Sequence, residues 1–285
     1  MSDNAKTIDT LVDDIYTLMN TGKKNPNQEW LMSFGMAVMD GVKRQMWMSS
    51  APKRGALRMS NVGKPCVRAL WYDVNGTHDP EPLTPQTRLK FMMGDIVEAL
   101  LLYLAKEAGH EVKDQQREIE IDGVKGHLDA VIDGELVDVK STSSYGMKKF
   151  KDGTLAEDDP FGYVGQISGY GNALGKSQGT FLAFDKSNGE LATYTHEGLE
   201  DTSARIKMVK DALAQTEPPE RGFEAVKDRA SNRKKLGINC SYCPHKYECW
   251  ADKNLELKFR SGKPVFLLEE EETAVESKDR ETYGF

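Results

Sequence analysis

The sequence predicts an α/β fold of the α+β kind: a mixed central sheet flanked by helices, with a helical N-terminal region and a segment ligated through cysteines. Three observations predict it. Short extended segments follow a long helix with an apolar stripe, and two of them meet at Asp133-Gly134. A second helix and a second hairpin come next, and four cysteines bracket the whole set. At 285 residues, 39% hydrophobic and 29% charged, the chain has material for a substantial core and is neither collagen-like, mucin-like nor wholly disordered. Residues 1–50 are expected to form a helical region, 51–255 the core with cysteine segments at both ends, and 256–285 an acidic, flexible tail.

Ile8, Leu11, Val12, Ile15, Leu18 and Met19 keep a 3.6-residue period and mark the first helix. Gly22 to Asn27 reads as a loop, followed by a second apolar segment through Trp47; Ala51 to Gly55 is the boundary. Leu89, Met93, Ile96, Leu100 and Leu104 form the stripe of a helix ending near Gly109. Arg117–Ile121 and Gly126–Ile132 read as strands, and Glu135–Lys140 follows the two-residue turn. A helix over 162–174, a hairpin turning at Asn188-Gly189 and a helix over 202–214 complete the core.

The net charge of −7 argues against a protein that coats nucleic acid, but the charge is segregated. From Gly41 to Tyr72 there are Lys43, Arg44, Lys53, Arg54, Arg58, Lys64 and Arg68 with no acid. From Lys227 to Lys246 there are Lys227, Arg229, Arg233, Lys234, Lys235 and Lys246 with only Asp228. No apolar run is long enough for a membrane span, and the N-terminus has no secretory pattern, so no membrane partner and a cytoplasmic setting are expected.

If Ile132 pairs with Glu135 across the turn, Asp129 falls opposite Asp138, and Lys140 shares their face. His127 would share it too, across from Lys140. Buried together without a partner, two acids and a lysine would be costly; a divalent ion such as Mg²⁺ removes the difficulty. The lysine would orient or deprotonate a water and offset charge in the transition state. Glu98 offers a third acid, four residues after Gly94, whose missing side chain lets the helix approach the sheet. Gln166 and Tyr170, also four apart, face the metal site or a bound nucleic acid. Taken alone, the Asp-x-Lys triplet favours a solvated ion pair, because such triplets are common; the order of the motifs is what selects a site.

Cys66 stands before the core, and Cys240, Cys243 and Cys249 follow it with C-x₂-C-x₅-C spacing. Without export signals, disulfides are not expected, and four thiolates satisfy either Zn²⁺ or an iron–sulfur cluster. Such a cofactor would staple distant segments and bring Arg58, Lys64 and Arg68 toward Arg233, Lys234 and Lys235 as a track for phosphates. Trp71, Tyr72, Tyr242 and Trp250 either stack on bases or pack the cofactor away from water. The tail, with Glu269 to Glu272 and Tyr283, Gly284 and Phe285 at its end, reads as a solubilising segment whose composition is similar to that of single-strand-binding protein tips.

The helical GxxxE, then GxxD, DxK across a hairpin and QxxxY resemble the PD-(D/E)XK nuclease superfamily in its RecB-like exonuclease branch, over about residues 89–174. The cysteines extend the resemblance to CRISPR-adaptation nucleases and AddB-type helicase–nucleases. Leu128 stands in place of the superfamily's proline, and Glu98 where several four-cysteine relatives carry histidine, a carboxylate there being familiar from phage exonucleases. The resemblance implies a restriction-endonuclease-like core. It implies Glu98, Asp129, Asp138 and the Val139 carbonyl as ligands of one or two Mg²⁺ or Mn²⁺ ions, Lys140 as the catalytic lysine, and Gln166 and Tyr170 as the helix motif. For the four cysteines it implies a [4Fe–4S] cluster, with Zn²⁺ the alternative. The expected function is a metal-dependent DNA exonuclease on single-stranded or frayed ends, with a replication or recombination protein as a further partner. The alternative is a non-cleaving nucleic-acid-binding or assembly module of the same fold.

Overall fold

Helices form at the N-terminus where the 3.6-residue spacing predicts them. In a computed structural model describing residues 6–47, 55–76, 78 and 80–269, a 3-10 turn (Ile8–Thr10) leads into α1 (Leu11–Thr21). After the loop, Asn27 caps α2 (Gln28–Met46), its side-chain oxygen accepting from the backbone N–H of Glu29 and Trp30. The boundary residues 51–54, with Lys53 and Arg54, and the tail from Glu270 through Glu272 to Tyr283, Gly284 and Phe285 lie outside the described residues.

Two short helices, α3 (Met59–Val62) and α4 (Val67–Asn75), precede α5 (Pro85–Glu107). Thr84 caps α5 by accepting from the Thr87 N–H, and proline occupies its first position. The predicted stripe on α5 is misplaced. Val97, Leu101, Leu102 and Ala105 are buried, whereas Leu89 is 59% and Met93 47% exposed. α5 lies between α2 on one side and the sheet and α1 on the other, so its buried residues spread over two faces rather than one stripe.

The strands are β1 (Val112–Lys113), β2 (Glu118–Ile121), β3 (Val124–His127), β4 (Ala130–Ile132) and β5 (Glu135–Thr142). Gly126–Ile132 is therefore not one strand. β3 pairs with β2 in a separate ribbon, and only β4 joins the main sheet. The break at Leu128-Asp129 has a packing cause. Leu128 lies in the core cluster of Met59, Ile167 and Tyr170, while Ala130 and Ile132 lie in that of Val97 and Leu101. Strict alternation would have put residues 128 and 130 on one face. The turn forms as expected: Asp133 and Gly134 have φ of 50° and 84°, and Ile132, Val131 and Ala130 pair with Glu135, Leu136 and Val137.

Beyond β5 come α6 (Ser144–Lys151), α7 (Tyr163–Leu174), β6 (Gln178–Asp185), β7 (Leu191–Glu197) and α8 (Thr202–Leu213). The main sheet runs β1-β4-β5-β6-β7, with β5–β6 parallel and the other pairs antiparallel, so it is mixed and flanked by helices on both faces. Met147 and Phe150 of α6 and Ile167 and Tyr170 of α7 pack on one face. Leu11 and Ile15 of α1 with Val97 and Leu101 of α5 pack on the other.

The C-terminal part carries β8 (Val226–Lys227), β9 (Lys234–Lys235), α9 (Ile238–Ser241), α10 (Lys246–Cys249), β10 (Leu255–Arg260) and β11 (Lys263–Leu268). Residues 255–268 are thus a hairpin in a four-stranded sheet, order β10-β11-β9-β8, rather than tail. Buried Asp228 pins this sheet, accepting from Ser231 at 2.6 Å and Arg260 at 2.7 Å. Those bonds hold its carboxyl below the usual range. Among the described residues no helix is long and apolar enough to cross a membrane.

Candidate active site

β5 carries Asp138, Val139 and Lys140. Asp138 is fully buried, and the Lys140 ammonium lies 2.6 Å from its Oδ2. Continuing the hairpin register one step beyond Ala130–Val137 brings Asp129 opposite Asp138. Asp129 Oδ2 accepts from the Val139 N–H at 2.7 Å, which ties the two strand ends together. Glu98 comes from α5, and its Oε1 accepts from Gln116 Nε2 at 2.6 Å.

These carboxyls press on one another. Burial first, then the charges of Asp138 and Glu98, push Asp129 well above the usual carboxylate range. Burial also raises Glu98, with Asp138 and Asp95 adding to it and the bond from Gln116 opposing it. Burial raises Asp138 while Lys140 draws it down. Burial alone would lower Lys140, but Asp138 and Asp129 outweigh that and hold its ammonium above the ordinary lysine range.

The lysine is positioned from α7. Lys140 Nζ donates to Gln166 Oε1 at 3.1 Å, and Gln166 Nε2 donates to the Tyr170 hydroxyl at 2.8 Å. Buried Tyr170 thus fixes the amide that fixes the ammonium. Two participants escape the sequence reading. Tyr163, whose ring centroid is 4.6 Å from Lys140 Nζ, sits one turn before Gln166. The spacing Tyr163, Gln166, Tyr170 puts all three on one helical face, a signal that was there to find. Gln116 lies in the turn before β2 and carries no such signal.

Two expectations are corrected. His127 belongs to the β2–β3 ribbon, opposite Glu118 and not Lys140, because the strand breaks after it. Gly94 is not a point of close approach, since a Cβ there would meet open space. The tight contact is at Gly41 of α2, where a Cβ would lie 2.8 Å from that of Asp95. A cavity of about 300 Å³ between α2 and α5 has Glu98, Arg44, Lys106 and Gln116 in its wall.

Among the described residues no three His, Cys, Asp or Glu side chains are disposed to hold a metal as they stand. Glu98 Oε1 is committed to Gln116 and Asp129 Oδ2 to the Val139 N–H. The donor chemistry nonetheless fits a hard divalent cation. Asp138 raises both Glu98 and Asp129, Glu98 raises Asp129 further, and Asp138 Oδ1 is buried with no hydrogen-bond donor.

The four cysteines are near enough for their charges to act on one another, although no three of them are disposed to hold a metal as they stand. Cys66 precedes α4, Cys240 is in α9, and Cys249 ends α10; all four are partly buried and none is in a disulfide. Burial, reinforced by Cys66, Cys249 and Cys240, pushes the Cys243 thiol up to about 11. Arg221 donates to the Cys249 carbonyl at 2.7 Å while its guanidinium lies 4.3 Å from the Trp250 ring centroid. Four soft donors gathered from distant segments suit Zn²⁺ or an iron–sulfur cluster chemically.

The basic stretches do not form the expected track as a whole. Arg68 donates to the Pro219 carbonyl at 2.5 Å and to the Tyr72 hydroxyl at 3.0 Å. Arg233 donates to the Leu268 carbonyl at 2.6 Å and to Glu256 at 2.5 Å, and Lys235 lies 3.3 Å from Asp228. These three serve internal acceptors that only the folded chain brings to them. Arg58 and Lys234 are exposed, and Lys64 is half-buried. Trp71, Tyr72 and Trp250 are buried and Tyr242 is 75% exposed, so three of the four aromatics pack inward.

No protein-family model matches the chain, and no curated protein matches it. Among solved structures it is similar to SSO0001, at 15% identity over 75% of this chain and 95% of that one, with a TM-score of 0.42. It is similar to a phage-related exonuclease from Haemophilus somnus 129PT at 15% identity, over 57% of this chain and 92% of that one, with a TM-score of 0.36. The alkaline exonuclease LHK-Exo from Laribacter hongkongensis matches at 15% identity, over 54% and 91%, with a TM-score of 0.31.

Proposed function

We propose that the chain is a divalent-metal-dependent DNA nuclease that acts as an exonuclease on single-stranded or frayed ends. The observation that carries this reading is the meeting of Glu98, Asp129 and Asp138, from three separate elements, beside an ammonium steered by Gln166 and Tyr170. A surface ion pair needs no such burial, and a packed core would not keep three acids together.

Glu98, Asp129, Asp138 and the Val139 carbonyl would hold Mg²⁺ or Mn²⁺. The ion, when bound, polarises the scissile phosphate and makes hydroxide available from water near neutral pH. Lys140 supplies positive charge where the phosphate gains negative charge, and Gln166 and Tyr170 keep that charge in place. As it stands the ammonium is held protonated, which suits electrostatic stabilisation and the orienting of water. Cys66, Cys240, Cys243 and Cys249 would hold a [4Fe–4S] cluster, or Zn²⁺ in its place, as a structural staple.

Digestion of 5′- and 3′-labelled single-stranded, duplex and circular DNA with Mg²⁺ or Mn²⁺ tests the reading. Linear single strands are expected to shorten from an end, while circles persist and EDTA stops the reaction. Absence of cleavage with either ion would overturn the nuclease reading, and nicking of circles would overturn end-dependence.

A further inference from the structure

Phe161 is 64% exposed, an unusual position for a phenylalanine beside a buried charged site. Its backbone is not loose. Asp159 Oδ1 accepts from the Gly162 N–H at 3.0 Å and its Oδ2 from the Val164 N–H at 2.8 Å, which locks the turn into α7. Gly162, at φ 78°, packs so closely that a Cβ there would lie 2.4 Å from the Gly63 carbonyl carbon and 2.6 Å from the Lys64 nitrogen.

The Phe161 ring stacks on Tyr163, centroids 5.4 Å apart and planes 29° from parallel. Tyr163 is the ring beside the Lys140 ammonium. Lysine, tyrosine and phenylalanine therefore form one series running from the acid cluster to solvent. A second aromatic is exposed on α6. Tyr145 on α6 is 75% exposed, with Lys149 Nζ 5.4 Å from its ring centroid. The same ammonium donates to the Asp158 carbonyl at 2.8 Å, linking α6 to the loop that carries Phe161.

We propose that Phe161, backed by Tyr163, is a stacking platform for an unpaired nucleobase next to the phosphate held at the acid cluster. This rests on the nuclease reading and names its substrate as a single strand. A rigid, exposed π-face beside a cation is what single-strand binding requires, the ring taking a base and the cation the adjoining phosphate. A base inside a duplex has both faces covered by its neighbours and cannot use the platform. A frayed or single-stranded one can.

The test is binding of single-stranded oligonucleotides carrying 2-aminopurine at successive positions near one end, measured with Ca²⁺ in place of Mg²⁺ and with phosphorothioate linkages at that end so that the acid cluster keeps a cation and no strand is cut. For the wild-type protein, fluorescence is expected to be quenched at one position. Phe161→Ala is expected to abolish that quench and weaken binding about 5- to 100-fold. Phe161→Trp is expected to keep both. Thermal melts of the two variants should match the wild type, since the replaced ring is exposed. Wild-type-like quenching and affinity in Phe161→Ala would overturn the platform and leave the nuclease reading standing. Failure of the wild-type protein to bind any strand would overturn both.

Discussion

Lys140→Ala is expected to slow cleavage of end-labelled single-stranded DNA by about 10²- to 10³-fold, the loss typical when one preorganised charge-stabilising donor is removed. The effect should fall on turnover, because DNA affinity comes mainly from phosphate contacts elsewhere and from stacking. The side chain is only 14% exposed and lies between Asp138 and Gln166. Its removal therefore also leaves Asp138 without its cation. Loss of one partner of a buried pair costs about 3–5 kcal/mol where the remaining charge stays ionised. Asp138 already sits above the usual carboxylate range and can take up a proton instead, so the variant is expected to fold. Lys140→Gln keeps the length and an amide donor while removing the charge. If it is as impaired as Lys140→Ala, the charge is what matters. Cleavage at the wild-type rate in both variants, with folded protein by circular dichroism, would remove Lys140 from the site.

Cys243→Ser is expected to have the largest effect on stability. The C-terminal sheet has only a small apolar cluster, with Leu236, Trp250, Phe266 and Leu268 at its centre, and Cys240 and Cys249 pack against it. A core of that size contributes little alone, whereas ligation of a structural metal centre is itself folding free energy, about 10–16 kcal/mol for small zinc modules. Purified without oxygen, the wild-type protein is expected to carry iron and a broad visible absorbance. The variant should lose both, and amide exchange over residues 221–268 should quicken while the main sheet stays protected. A colourless wild-type protein with one zinc per chain would replace the cluster by zinc and keep the staple. A metal-free wild-type protein as stable as its serine variant would remove the staple.

What the sequence discloses about the site is local and periodic. Asp133-Gly134 dictates a turn, the turn dictates the register, and the register brings Asp129 to Asp138. Helical spacing sets Gln166 against Tyr170. Where the reading fails, the deciding contacts are between elements. The stripe on α5 is misplaced because α2 and the sheet both bury that helix. The strand through Leu128 breaks because two core clusters pull neighbouring residues to opposite faces. Arg68 and Arg233 look like surface charge until the fold brings the Pro219 and Leu268 carbonyls to them. The β10–β11 hairpin is a different case: Ser261 and Gly262 take positive φ of 48° and 73° at its turn, and that dipeptide was a usable signal.

The most direct test of the central claim is Mn²⁺ binding followed by electron paramagnetic resonance. It compares the wild-type protein with a double variant, Asp129→Asn and Asp138→Asn, that keeps the size of both side chains. The account predicts that the wild-type protein binds Mn²⁺ and that the folded double variant does not, with competition by Mg²⁺ in the wild type alone. Equal binding by both proteins, or none by the wild type at millimolar Mn²⁺, would contradict it.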